Sequence, residues 1–96
     1  MNGTYIESDL NIAAFLVAKN LEFIGMQLIG TRYAFEFADP NGTAATAALE
    51  FSRGAPVVAR EFAAAQQRLK TALYTAKAQE NRKERNYVNS DQHNRR

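Results

Sequence analysis

The sequence predicts a small α+β domain, a two-layer sandwich with two helices on one face of an antiparallel sheet of three to four strands (order β-α-β-β-β-α). Three observations carry this. An apolar body, Thr4–Ala76, precedes a polar stretch, Lys77–Arg96. Within the body, Leu10–Leu21 repeats apolar residues at helical spacing and Arg32–Ala38 alternates them at strand spacing. Turn-forming residues fill the gaps at Gly30-Thr31, Asp39-Pro40-Asn41-Gly42 and Ser52-Arg53-Gly54-Ala55-Pro56.

Thr4–Glu7 fits a short edge strand. Ser8 and Asp9 are N-cap residues in front of a helix over Leu10–Lys19. Ile12, Phe15 and Leu16 widen its apolar stripe, which predicts burial on more than one side. Asn20 tolerates the left-handed conformation that ends a helix. Leu21–Ile29 reads as a strand with a bulge at Gly25. Arg32–Ala38 follows, with Tyr33, Phe35 and Phe37 facing one way and Arg32, Ala34 and Glu36 the other. In Ala44–Phe51 the alanines favour helix, while Leu49-Glu50-Phe51 alternates; a third meander strand is expected there. After Pro56 the apolar residues Val58, Phe62, Ala65, Leu69, Leu73 and Ala76 recur every three or four positions. They predict a second helix from Val57 past Ala76 to about Arg85, with disorder over Asn86–Arg96.

A chain of 96 residues fits one domain. The expected division is a folded unit over residues 1–76 and a basic extension over 77–96, helical at first. The net charge is +2. The extension carries six basic and three acidic residues, the body six and seven. A near-neutral body with a basic extension suits nucleic acid, anionic lipid or an acidic protein surface. The absence of cysteine excludes disulfides, thiol catalysis and thiolate-bound zinc. The longest apolar run, Ile12–Ala18, is too short to span a bilayer, and acidic Glu7 and Asp9 precede it. A cytoplasmic protein with no membrane partner is the expectation. The triplets Asn2-Gly3-Thr4 and Asn41-Gly42-Thr43 match the glycosylation pattern by chance on this reading.

The stretch Ser8-Asp9-Leu10-Asn11-Ile12-Ala13-Ala14-Phe15-Leu16-Val17-Ala18-Lys19, the strand Tyr33-Ala34-Phe35-Glu36-Phe37, Asp39-Pro40 and the segment Val58-Ala59-Arg60-Glu61-Phe62 together resemble a family of short bacterial and phage-associated proteins known as a domain of unknown function. The resemblance covers about Tyr5–Leu73, and its motifs are packing motifs. Asn20 stands where that family's glycine is expected. The resemblance implies a small α+β domain without known catalysis, and it supplies no catalytic residues.

The residues themselves also argue against an enzyme. The single histidine, His93, is the fourth residue from the end. Carboxylates are scattered, and only Glu36 and Glu50, if on neighbouring strands, would sit close enough to hold a cation. No Gly-rich phosphate loop, nucleophile elbow or metal-ligand spacing is present, so no cofactor, metal or catalytic residue is assigned.

Two constellations point to binding. Tyr33 and Phe35 have the i, i+2 spacing on which RNA-recognition sheets stack bases, although a core role fits three aromatics on one strand face better. Arg68, Lys70, Lys77, Arg82, Lys83, Arg85, Arg95 and Arg96 form the candidate nucleic-acid surface, a basic helix and tail that would contact the phosphate backbone. The expected function is therefore a non-enzymatic accessory protein of a bacterium, phage or mobile element that associates with DNA or RNA. The alternative is a protein-interaction module, acting as adaptor, inhibitor or homo-oligomer. Apolar aliphatic residues on the open sheet face would favour the alternative.

Overall fold

The computed structural model describes the backbone of residues 3–94 and the side chains of residues 3–80. The α+β class holds, with three strands and three helices: β1 (Thr4–Glu7), α1 (Leu10–Ala18), β2 (Glu22–Ile29), β3 (Arg32–Ala38), α2 (Ala44–Ser52) and α3 (Ala59–Asn94). The sheet is antiparallel in the order β1-β3-β2, so β3 is central and β1 and β2 are both edges.

One sequence expectation fails outright. Residues 44–51 form helix α2 and not a third meander strand. Alanine occupies Ala44, Ala45, Ala47 and Ala48, and its helix propensity outweighs the short alternation at Leu49-Glu50-Phe51. The preceding turn also suits a helix start. The Asp39 Oδ1 accepts the backbone N–H groups of Thr43 (2.8 Å) and Ala44 (3.2 Å), doing the capping that the Thr43 side chain does not. Gly42, at φ 67°, completes the turn. A second difference is the length of α3, which runs to Asn94, past Arg85 and through the segment expected to be disordered. No glycine or proline follows Pro56 to stop it.

Helix α1 forms as its sequence dictates. The Asp9 carboxylate accepts from the N–H groups of Asn11 (2.8 Å) and Ile12 (3.0 Å). Asn20 ends the helix at φ 71°. The N–H of Leu21 bonds the carbonyl of Leu16 at 3.0 Å and that of Asn20 the carbonyl of Val17 at 2.9 Å, a Schellman closure made with asparagine. Gly54 repeats the device after α2. Ala13, Ala14, Phe15 and Leu16 are all fully buried, a complete turn of helix with no solvent side.

The core lies between the sheet and the helices. Phe15, Leu16, Phe35, Phe37, Ala65 and Leu69 form its centre. Pairing places Tyr5 and Phe23 beside Phe37, and Glu7 and Met26 beside Phe35, so these residues all face the helical layer. Phe23 meets Phe37 edge-on at 5.7 Å between centroids. Across the helices, Phe51 of α2 lies 5.2 Å from Phe15 and stacks on Phe62 of α3 at 6.0 Å. These rings lock α2 onto α1 and α3. The Asn11 Oδ1 accepts from Gln66 Nε2 at 2.8 Å, a further tie between α1 and α3.

One acid is buried at the β1–α1 junction. Glu7 accepts the Tyr5 hydroxyl at 2.9 Å and the Asp9 N–H at 3.1 Å. Burial raises the Tyr5 pKa above the ordinary 10.0, and the hydrogen bond to Glu7 and the charges of Glu7 and Asp39 raise it further. The folded state therefore holds this proton more tightly than the unfolded chain. The resulting stability is complete below the ordinary value and is lost as pH rises through the folded value. We expect the urea midpoint of the wild type to fall more steeply above about pH 10 than that of Tyr5→Phe. Parallel pH profiles for the two proteins would refute this linkage.

Candidate protein-interaction surface

The helices cover one face of the sheet and leave the other open. The strand registers decide which side chains lie on each. Ile6 pairs with Glu36, Gln27 with Ala34 and Ile29 with Arg32, all on the face opposite Phe35 and Phe37. The ladder shifts between Phe23 and Gly25, so Ile24 is an extra residue that joins Gly25 on the open face, opposite Glu36. The open face thus presents Ile6, Ile24 and Ile29, while Ala34 on the same side of β3 is buried. Ile6 is 37% exposed, Ile24 51% and Ile29 54%. Gly25 leaves open space beside them, since a Cβ built there meets nothing within 4 Å. Arg32 and Glu36 stand two positions either side of Ala34 along β3.

The aromatic residues singled out for base stacking lie on the other face. Phe35 is 2% exposed and packs beneath the helices, where no base can reach its ring. Tyr33 is half-buried, and its hydroxyl donates to Glu80 Oε1 at 2.7 Å and reaches the Ala76 carbonyl at 3.4 Å. Tyr33 separates two clefts of α3 and the sheet. One, about 410 Å³, is lined by Ser8, Thr31, Arg32, Leu73, Lys77 and Glu80; the other, about 400 Å³, by Met26, Leu28, Ala76, Gln79 and Glu80. Among the described residues no buried polar side-chain atom lacks a partner.

The basic residues do not form one patch within the described side chains. Lys70 and Lys77, seven residues apart, share a face of α3, whereas Arg68 lies about 200° of helix rotation from Lys70. The Arg68 guanidinium sits over the Phe23 ring, 5.9 Å from its centroid. Arg82, Lys83 and Arg85 belong to α3, but their side chains lie outside the described residues, as do Arg95 and Arg96 altogether. Glu36 and Glu50 are not on neighbouring strands, because Glu50 belongs to α2.

The three isoleucines were not singled out from the sequence. Their facing depends on the register of β1 against β3 and on the bulge in β2, and neither is written in local composition. Tyr5 and Glu7 share this history, since their contact follows from period-2 alternation along β1 once that strand is placed.

No family model, curated protein or solved structure matches the chain. Among the described residues no helix is long and apolar enough to cross a membrane.

Proposed function

We propose that this chain is a protein-interaction module, a binding protein and not an enzyme, whose working surface is the open face of its sheet. The supporting observation is the division of side chains between the two faces. The large aromatics lie beneath the helices, and aliphatic Ile6, Ile24 and Ile29 remain half exposed on the side the helices leave bare. Clustered exposed aliphatics, rimmed here by Arg32, Gln27 and Glu36, mark surfaces that another protein covers. Nucleic-acid association ranks second, since among its described contributors Arg68 points away from the face that Lys70 and Lys77 share and sits over the Phe23 ring.

Photo-crosslinking tests the order of these readings. A photoreactive side chain is placed at Ile29 in one protein and at Lys77 in another, in cells that produce the chain. Discrete protein adducts from position 29 are expected. Nucleic-acid adducts from position 77 with no protein adduct from position 29 would overturn the reading. Fluorescence anisotropy with labelled DNA and RNA supplies a second check, with no binding expected at physiological salt.

A further inference from the structure

We infer that two copies of this chain join edge to edge through β2, each adding its strand to the other's sheet about a two-fold axis at Gln27. The inference concerns the rim of the sheet and goes beyond the proposed function, which uses the open face.

The main-chain groups on that rim lead to it. The Asp39 N–H bonds the Gly3 carbonyl at 2.9 Å, so Phe37 and Phe35, two and four residues earlier, also turn their main-chain groups toward β1. Glu36, Ala34 and Arg32 turn theirs toward β2, where they meet Gly25, Gln27 and Ile29. The N–H and C=O groups of Met26 and Leu28 then point away from the sheet, and among the described residues nothing bonds them. Natural sheets blunt such an edge with lysine, proline, a bulge or brevity. The other edge, β1, is four residues long. β2 has eight, its bulge is confined to Ile24 and Gly25, and from Gly25 to Ile29 it carries neither charge nor proline.

A second β2 answers these groups at one register. With the axis at Gln27, Met26 lies opposite the partner's Leu28, and Leu28 opposite the partner's Met26. Each pair exchanges two N–H···O=C bonds, so every outward main-chain group of Met26 and Leu28 in both copies is satisfied. Gly25 lies opposite the partner's Ile29, and Gln27 opposite its own equivalent, where the two side-chain amides pair. Moving the axis to Met26 brings the bulge into the ladder, and moving it to Leu28 brings in the turn at Gly30, φ 63°.

The same register covers side chains that one copy leaves bare. Leu28 faces the helical layer, yet it is 48% exposed. The Tyr33 hydroxyl reaches the Ala76 carbonyl and Glu80, which places this part of α3 above β3, one strand in from the rim. Met26 and Leu28 therefore line the outer cleft beside α3, and the partner's Leu28 and Met26 come to lie next to them on the same side. Five paired residues per copy fall well short of the roughly 20–30 of a standard interface, so the dimer is reversible and fills at about 10 μM or above.

The sequence has no cysteine, so single cysteines report the register. Under mild oxidation Gln27→Cys is expected to give a disulfide-linked dimer, because facing residues of a non-hydrogen-bonded pair have Cα atoms about 4.5 Å apart. Ile29→Cys alone stays unlinked, since its equivalent lies about 13 Å away along the ladder, but it links to Gly25→Cys when the two are mixed. Sedimentation velocity of the full chain without oxidant, from about 1 μM to about 1 mM, is expected to show monomer passing to dimer. Over that range hydrogen exchange at Met26 and Leu28 slows, while Gln27 and Ile29, bonded to β3, are protected throughout. Leu28→Pro removes an N–H that bonds nothing within one chain, so it keeps the fold by circular dichroism and associates at least roughly tenfold more weakly. Should that variant not fold, Leu28→Lys at the same half-exposed position takes its place with the same expectation. A wild type that stays monomeric to about 1 mM overturns the inference. So does a folded Leu28 variant that associates as tightly as the wild type, or Ile29→Cys linking to itself as readily as Gln27→Cys. From the photoreactive side chain at position 29, an adduct of twice the chain's mass belongs to this dimer, and one of another mass to the partner of the open face.

Discussion

Truncating Phe37 to alanine is expected to leave the chain largely unfolded at room temperature. Phe37 is fully buried on the central strand, paired with Tyr5 on one side and Phe23 on the other. Removing its ring strips the contact with Phe23 and opens a cavity beneath α1 and α3, at a cost of about 3–5 kcal/mol. A domain with so modest a core should sit near the lower end of the range for folded proteins, about 5 kcal/mol. The loss therefore consumes most of the stability. Urea denaturation followed by far-ultraviolet circular dichroism checks it. Phe37→Leu, which keeps most of the volume, should retain the fold with a loss of about 1.5 kcal/mol. A cost below about 1 kcal/mol for the alanine variant would mean that the core does not centre on β3.

Leu69→Ala is the second large effect, and it acts on the attachment of α3. Leu69 is the one fully buried large side chain of that helix among the described residues, with Ala65 one turn earlier and half-buried Leu73 one turn later. We expect a loss of about 2–5 kcal/mol, and a smaller one for Leu73→Ala. Hydrogen exchange should separate this variant from Phe37→Ala. Amides over residues 62–80 should lose protection first, because β3 keeps its pairing with both neighbours when α3 loosens. Uniform loss across sheet and helix would instead show that the two layers unfold as one unit. The double variant should fall short of the sum, since both side chains belong to one packed cluster.

Several features were legible because single residues carry them. Asp9 announced the start of α1, Asn20 its left-handed end and Gly25 the bulge, and each is found in that role. The aromatic alternation along β3 correctly put Tyr33, Phe35 and Phe37 on one face. The segment 44–51 was misread because three residues of alternation were set against a run of alanines. On a helix those same residues divide differently: Leu49 is 51% exposed while Ala48 is buried. The turn at Asp39 carried the missing information, for a carboxylate four residues ahead of Thr43 suits a helix start better than a hairpin. The candidate surface was harder to read. Ile6, Ile24 and Ile29 resemble core residues in composition, and only the pairing of strands distant in sequence reveals that they face outward.

The bulge in β2 has an evolutionary consequence. Phe23 and Met26 both face the helices although they are three residues apart, because Ile24 and Gly25 together occupy the place of one residue. Removing either one would erase the bulge and leave Phe23 and Met26 on the helical face by ordinary alternation, whereas removing a residue over 26–28 would carry Ile29 beneath the helices. Descendants of this sequence can therefore gain or lose residues in the turns at 30–31, 39–43 and 53–58, and in β2 can lose one of the two bulge residues but none over 26–28. Single-codon deletions scanned along the gene should survive in those turns and at positions 24 or 25, and vanish from positions 26–28.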